Sequence, residues 1–157
     1  MSDCPMTTLG KKMLEDELSQ LIKVDREYIK KAISEARDLG DLKENAEYHA
    51  AKERQSIIEG RIMDLQSKLA RARVINVSNM QSDKIVFGAI VTILDKKKDI
   101  TVTYQIVGED EAMNDPGKIS FSAPLGKSLI GKEEGDEVVV KAPKGDLIYE
   151  VISFRYN

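Results

Sequence analysis

The sequence predicts an α+β protein in which an N-terminal antiparallel two-helix coiled-coil hairpin, residues 1–77, precedes a small antiparallel-sheet domain with one short helix, residues 78–157. Three observations lead to this prediction. No proline occurs between Thr8 and Arg73. Apolar residues in this stretch recur every three or four positions, which is the period of helices packed in a coiled coil. After Asn76 the period falls to two, and β-branched and aromatic residues accumulate, as in strands.

The helical stretch divides into two arms at Gly40, and each arm carries one apolar stripe. The first stripe consists of Leu14, Leu18 and Leu21, lapses at Asp25, and resumes with Ile29, Ile33 and Ala36. The second consists of Ala51, Ile58, Ile62, Leu65, Leu69 and Ala72, with Gln55 as a polar interruption. The lapse in the first stripe indicates a stutter in the supercoil.

Each arm has about 30 residues and would be ~45 Å long at 1.5 Å per residue. Neither arm can bury its stripe alone, and only a short turn joins them, so the sequence favours an antiparallel hairpin with residues 40–44 at its far end. An alternative remains in which both helices fold onto the C-terminal half as an ordinary core. The dense charges on the other faces of each arm disfavour that alternative.

Four segments of the second half are predicted strands, namely KIVFGAIVTIL, ITVTYQIV, EVVVKA and LIYEVISFRY, residues 84–94, 100–107, 137–142 and 147–156. SAPLGKSLIG is predicted to be a short helix with Ser122 as its N-cap and Gly131 at its end. GEDEAMNDPG, residues 108–117, is predicted to be a loop. VSNMQSD, residues 77–83, is the expected joint between the two parts.

Composition excludes several classes of protein. With 41% hydrophobic and 32% charged residues, the chain is typical of a globular protein and not of a disordered one. It has neither a membrane-spanning apolar run nor a secretion signal, so we expect a cytoplasmic protein with no membrane partner. Cys4 is the only cysteine, which excludes an internal disulfide and a thiolate metal cage. The net charge of −3 disfavours bulk coating of nucleic acid.

The turn sequence GDLKENAEYHAAKE, residues 40–53, allows two interpretations. In the structural one, Asp41 is the N-cap of the second helix and Glu44, three residues later, is its capping-box partner. In the functional one, Asp38 and Glu47 add two more carboxylates to the same end of the hairpin. Such crowding is unfavourable for stability, and carboxylates suit a hard cation such as Mg2+. Two carboxylates would complete a metal site on another molecule and would not form one alone.

The same residues carry a resemblance to a known family. GDLKENAEYHAAKE, preceded by ISEAR and followed by QSIIEGRIMDLQSKL, resembles the signature of the bacterial Gre transcript-cleavage factors, which are transcription elongation factors. The similarity continues through VFGAIVTI, YQIVGEDEA, GKISFSAPLGKSLIGK and GDEVVVKAPKGDLIYEV. It therefore covers almost the whole chain, from MTTLGKK to the C-terminus.

The resemblance implies a partner and a mechanism. The coiled coil would enter the secondary channel of bacterial RNA polymerase, and the C-terminal domain, FKBP-like in fold, would dock near the channel entrance. The factor would act on the nascent RNA 3′ end of a backtracked complex. Asp41 and Glu44 match the family's acidic pair, which helps to hold a second Mg2+ in the polymerase active site. We therefore expect a monomeric cofactor protein without enzymatic activity of its own, and Mg2+ shared with polymerase.

Basic residues near the turn are candidates for binding the extruded RNA by its phosphates. They are Arg37, Lys43, Lys52 and Arg54. A solvated face of intrahelical ion pairs, such as Lys52 with Glu53 or Glu59, explains them equally well. Tyr48 could stack on a base or cover the end of the hairpin.

Three other functions remain as alternatives. A Gre-like inhibitor that blocks the secondary channel would share the fold, although Asp41 and Glu44 stand where cleavage factors have them. A stand-alone metal-dependent nuclease would need further ligands, and the sequence shows no additional carboxylate or histidine cluster. A peptidyl-prolyl isomerase is suggested only by the expected fold of the second domain, and a fold alone does not establish an activity.

Overall fold

The computed structural model describes residues 3–41 and 44–157. It has the predicted mixture of helix and sheet, with a long helical N-terminal part and a sheet whose strand pairs are mostly antiparallel. Internal contacts divide the chain into two units, residues 12–71 and residues 3–11 together with 72–157. No helix in the described part of the chain is both long enough and apolar enough to cross a membrane.

Helical segments are described between residues 8 and 70, and the first of them begins within residues 3–11 of the other unit. Helix α1 spans Thr8–Gln20, a π-helical segment spans Leu21–Asp25, α2 spans Arg26–Arg37 and α3 spans Ala46–Ala70. Helices α2 and α3 pack against each other. Most of the predicted stripes are buried: Leu14, Leu21, Ile29, Ile33 and Ala36 on the first arm, and Ala51, Ile58, Ile62 and Leu65 on α3. Leu18 and Leu69 are half-buried.

The π-helical segment lies where the sequence pattern lapses. A π-helical turn contains more residues than an α-helical one. The next residue on the side that packs against α3 therefore comes later in the sequence than it would in a regular α-helix. Leu21 is buried at the start of this segment and Ile29 is buried after it, eight residues later. The prediction of an irregularity near Asp25 is therefore correct, and its form is a wide turn within a continuous run of helix.

Ion pairs join the arms. Arg61 donates from Nε and Nη2 to the two carboxylate oxygens of Glu17, at 2.6 and 2.9 Å. Arg26 donates to Glu59 from Nε at 3.1 Å and from Nη2 at 3.0 Å. Residue numbers rise from 17 to 26 on the first arm while those of the partners fall from 61 to 59 on α3.

The second unit contains a five-stranded sheet in the order β5-β4-β3-β7-β6. Its strands are β3 (Ile90–Asp95), β4 (Ile100–Val107), β5 (Lys118–Ser120), β6 (Glu137–Ala142) and β7 (Gly145–Arg155). All neighbouring pairs are antiparallel except β4 and β5, which are parallel. A separate parallel pair joins β1 (Cys4–Thr7) to β2 (Ala72–Ile75).

Several details differ from the sequence prediction. Strands β1, β2 and β5 were not expected, and Ala72 lies in β2 and not in a helix. The segment predicted as a loop after β4 contains the short helix α4, Glu109–Met113. The segment predicted as a joint contains a 3-10 helix, Val77–Asn79. The first predicted strand begins only at Ile90, because the chain turns at Gly88, whose φ is +95°.

Helix α5, Pro124–Leu129, covers one face of the sheet through Leu129, which is fully buried. The core around Leu129 consists of Ile85, Ala89, Val91, Ile93, Ile106, Val138, Val140 and Val151. Ser122 is not the N-cap of this helix. Ala123 holds that position without a side-chain bond, and Pro124, which lacks an N–H, occupies the first turn. Gly131, with φ +89°, follows the end of the helix as predicted.

A buried carboxylate connects the N-terminal segment of this unit to α4 and β5. Glu111 accepts hydrogen bonds from Thr7 Oγ1 and from Lys118 Nζ. Thr7 Oγ1 also accepts from Gly10 N at 2.9 Å, which makes Thr7 the N-cap of α1. A Cβ at Gly10 would lie 2.6 Å from Glu111 Oε1, so only glycine fits there without a shift of the carboxylate.

Candidate functional site

Helix α2 ends just before the turn sequence that carries Asp41 and Glu44, which is called the acidic turn below. Asp38 is its C-cap, and Leu39 N donates to Ala36 O at 3.1 Å. Gly40 then adopts a φ of +138°, which side chains rarely tolerate, and the chain bends there. Glycine is therefore strongly favoured at position 40, and Asp41 follows it directly.

Helix α3 begins at Ala46, and its N-cap is Asn45. The side chain of Asn45 accepts a hydrogen bond from Tyr48 N at 3.0 Å, in the usual position for a cap. The predicted cap, Asp41, and its predicted capping-box partner, Glu44, are wrong. A helix that began at Asp41 would place Asn45 inside its first turns, where asparagine is unfavourable and could not bond as it does.

Asn45 also holds the end of the preceding helix. Its Nδ2 donates to Ala36 O at 2.6 Å, so one side chain bonds to the last turn of α2 and to the first turn of α3. The amide group suits both roles, since it offers an acceptor and a donor on the same carbon. Sequence reasoning assigned Asn45 no role, although asparagine directly before the helical pattern AEYHAA was a recognisable cap signal.

Asp41 and Glu44 are both exposed, on the chain between these two anchored ends. They line a surface depression of about 440 Å³ together with Leu39, Asn45, Ala46 and Glu47. The two predicted site carboxylates therefore share one surface, with Glu47 beside them. Lys43, which the sequence analysis also proposed, lies outside the described residues.

The chemistry of this surface fits a hard divalent cation. Carboxylate oxygens are preferred ligands of Mg2+, which usually retains several waters and binds only one or two protein carboxylates. Within residues 3–41 and 44–157, no three or more His, Cys, Asp and Glu side chains are grouped so as to hold a metal. Asp41 and Glu44 are of the residue type that such a cation binds.

The candidate RNA-binding residues divide between two faces. The guanidinium of Arg37 lies 5.9 Å from the centre of the Tyr48 ring. Lys52, four residues after Tyr48, lies on the same side of α3 and donates to Gln55 Oε1 at 3.2 Å. Arg54 is exposed and lies two residues beyond Lys52, which places it on a different side of the helix. The structure thus brings Arg37 and Lys52 to one face but not Arg54.

Tyr48 packs against its neighbours near this face. Its ring makes an edge-to-face contact with His49, with the centroids 5.7 Å apart. The contacts of Tyr48 with Arg37 and, through its backbone, with Asn45 connect α3 to the end of α2. Arg37 therefore has a structural role, in addition to any contact with RNA.

Comparison with known families matches both parts of the chain. Residues 4–74 match the model described as the N-terminal domain of transcription elongation factors GreA and GreB. Residues 80–156 match the model of the C-terminal domain of the same factors. The two matches follow one another without overlap and together cover nearly the whole sequence.

Individual relatives agree with these matches. The chain is 54% identical over 154 residues to the transcription elongation factor GreA of Francisella tularensis subsp. novicida, covering 98% of this chain and 96% of that protein. The GreA of Francisella philomiragia gives the same values. Among solved structures, GreA factor homolog 1 (Gfh1) of Thermus thermophilus is 26% identical, with a TM-score of 0.45 over 98% of this chain and 99% of that one.

Proposed function

Because this chain belongs to the GreA/GreB family of transcription elongation factors, we propose that it binds RNA polymerase through the secondary channel. There it stimulates the polymerase's own cleavage of nascent RNA whose 3′ end has moved off the active site by backtracking. The released complex regains a 3′ end that can be extended. The chain acts as a protein factor, and the phosphodiester bond is cut by the polymerase.

The position of Asp41 and Glu44 carries this proposal. Both carboxylates are exposed and line one depression beside the start of α3, and Asn45 performs the capping that they were expected to perform. Crowding of acids at one exposed surface is costly, because like charges repel. Because Asp41 and Glu44 lie at the turn between two helical arms, the arms could carry them into the active site of a partner.

The helices are long enough to extend into a channel of the partner. Helix α3 alone, with 25 residues, is about 37 Å long at 1.5 Å per residue. The buried stripes and the ion pairs Arg61–Glu17 and Arg26–Glu59 support an antiparallel coiled-coil hairpin with Asp41 at its far end. In this proposal the hairpin occupies the channel, and the sheet domain, FKBP-like in fold, docks at the entrance.

Asp41 and Glu44 would hold Mg2+ only together with ligands from polymerase. When bound, the ion lowers the pKa of a water ligand and neutralises charge on the reacting phosphodiester. The two carboxylates of this chain would help to hold and orient the ion, and polymerase would supply its remaining protein ligands. Such a shared site explains how cleavage can be switched on by binding of the factor.

Arg37 and Lys52 extend the proposed site along the shaft. Both are exposed cations on one side of the turn, and extruded RNA brings a phosphate with every nucleotide. The Tyr48 ring beneath Arg37 supports the guanidinium and presents an aromatic surface next to it. We assign RNA contact to this face, and Arg54, on another side of α3, is outside it.

The experiment is a cleavage assay on one stalled, backtracked elongation complex in Mg2+ buffer, with and without the protein. We expect the RNA to shorten from its 3′ end faster when the protein is present. The protein alone, incubated with free RNA, should leave the RNA intact. Binding to polymerase without faster cleavage would favour a channel-blocking inhibitor, and cleavage of free RNA that survives repurification would favour a nuclease.

A further inference from the structure

One side chain spans the base of the acidic turn. Asn45 Oδ1 accepts from Tyr48 N, and Asn45 Nδ2 donates to Ala36 O. Asn45 is half-buried, and Ala36 is only 4% exposed, so the bond to its carbonyl is shielded from competing water. Positions 36 and 45, which lie on either side of Asp41 and Glu44 in the sequence, are thereby fixed to each other.

Capping alone does not explain an asparagine at this position. Serine, aspartate and asparagine cap helices about equally well, because each provides an oxygen acceptor. Aspartate has no donor for Ala36 O, and serine carries its donor and its acceptor on a single atom close to the backbone. The asparagine amide places them on two separate atoms, one facing Tyr48 N and the other Ala36 O. The second bond is therefore the feature that distinguishes Asn45 from the other good caps.

The bridge has a direct effect on the carboxylates. Glu44 directly precedes Asn45 in the chain. The two bonds of Asn45 therefore also restrict the backbone position of Glu44 and the direction of its side chain. Asn45 itself lines the same depression as Asp41 and Glu44. A metal that depends on two carboxylates is sensitive to their spacing, and loss of a group that orients a metal ligand typically costs about 10–100-fold in metal affinity or activity.

We propose that Asn45 is a positioning residue for the acidic pair, and that its bridge between Ala36 and Tyr48 sets the spacing at which Asp41 and Glu44 meet the second Mg2+. This inference rests on the proposed function. It predicts that loss of the bridge weakens the use of Mg2+ while leaving the fold and the binding to polymerase intact.

The test compares Asn45→Ser and Asn45→Asp with the unmodified protein in the cleavage assay, as a function of Mg2+ concentration. Both variants keep an acceptor for Tyr48 N. Asp has no donor for Ala36 O, and Ser has a single hydroxyl, one bond closer to the backbone than the Asn45 amide nitrogen, for both partners. Asn45→Ser adds no charge to the depression, so it is compared with Asn45→Asp, which does. We expect the Mg2+ concentration for half-maximal stimulation to rise about tenfold, the low end of the range for lost supporting contacts. The rate at saturating Mg2+ should approach that of the unmodified protein.

Asn76→Ser is the matched control. Asn76 caps the 3-10 helix in the second unit, where its side chain accepts from Ser78 N. The same substitution there should leave the Mg2+ dependence unchanged. Combining Asn45→Ser with Glu44→Gln should add little to the shift caused by Glu44→Gln alone, because Asn45 acts through the carboxylate that is already absent.

The outcomes separate this inference from the proposed function. If the Asn45 variants show the unmodified Mg2+ curve, Asn45 is a helix cap and the inference is wrong, while the proposed function stands. If both variants unfold or fail to compete for polymerase, its role is structural and the inference is equally wrong. If the unmodified protein does not stimulate cleavage, both proposals fail.

Discussion

Lys118 Nζ lies 2.8 Å from Glu111 Oε2, and the side chain of Glu111 is only 3% exposed. Thr7 donates to the other carboxylate oxygen, so both oxygens of this buried acid are bonded. Burying a carboxylate is costly unless it is paired in this way. The pair therefore makes the second unit sensitive to the loss of either partner.

Glu111→Ala should lower the free energy of unfolding by about 3 kcal/mol, because it leaves the Lys118 ammonium and the Thr7 hydroxyl buried without their acceptor. Urea denaturation followed by circular dichroism measures the change. Glu137→Ala is the control, since Glu137 accepts from Lys96 at the same 2.8 Å but is 53% exposed. We expect a much smaller loss there, because solvent screens the exposed pair, and equal losses for the two variants would contradict the assigned role of burial.

Asp41→Asn and Glu44→Gln should abolish the stimulation of cleavage at ordinary Mg2+ while the protein stays folded. Since Asn45 and not Asp41 caps α3, neither substitution removes a cap, and we expect stability changes within about 0.5 kcal/mol. Thermal melts, competition for polymerase and a cleavage time course on one stalled complex measure the three properties. Raised Mg2+ should recover part of the activity.

Glu47→Gln is the matched control for these variants. Glu47 lines the same depression but belongs to the first turn of α3 and not to the acidic pair. It should retain most of the activity. If Glu47→Gln were as inactive as Glu44→Gln, general negative charge at this surface would be the requirement, and the specific pairing of Asp41 with Glu44 would be incorrect.

Arg37→Ala combined with Lys52→Ala should reduce cleavage most on deeply backtracked complexes, where more RNA is extruded. Each lost phosphate contact should also flatten the dependence of log affinity on log salt by about 0.7, the value for single strands. Arg54→Ala removes one positive charge from another side of α3 and should change neither property. Identical salt slopes for all three proteins would show that Arg37 and Lys52 are ordinary solvated cations.

Two glycines should respond in opposite directions to alanine. Among the described residues, nothing lies within 4 Å of a Cβ placed at Gly60, which is inside α3, so Gly60→Ala should stabilise the protein by about 0.5–1 kcal/mol. A Cβ at Gly126 would overlap the backbone oxygen of Ser120, so Gly126→Ala should destabilise it by about 1–3 kcal/mol. Chemical denaturation of both variants tests the two signs.

The helical arms were predictable because their apolar residues follow a local period. Ile29, Ile33, Ile58 and Ile62 are buried as the spacing indicated. Strands β1 and β2 were not predictable in the same way. Each strand has only four residues, and paired residues are 68 positions apart in the sequence. Their burial depends on neighbours that only the folded chain brings together. Strand β5, with three residues, gives too short a pattern to recognise.

The acidic pair was predicted from residue type, spacing and the resemblance to Gre factors, but its local structure was not. Asp41 and Asn45 are equally good caps by intrinsic preference, so the sequence alone does not decide between them. The bond from Asn45 to Ala36 O, nine residues earlier, favours the later start of the helix. That bond exists only once the two arms have folded together.

The π-helical segment has a consequence for protein engineering. Its wide turn offsets the angular position of every residue that follows it on the first arm, including Ala36 and the start of the acidic turn. A transplant of residues 36–48 onto an unrelated, uniformly α-helical hairpin would carry the acids and the Asn45 bridge. It would not reproduce the rotation of the acids about the axis of the first arm. That rotation depends on Leu21–Asp25, more than ten residues before Ala36.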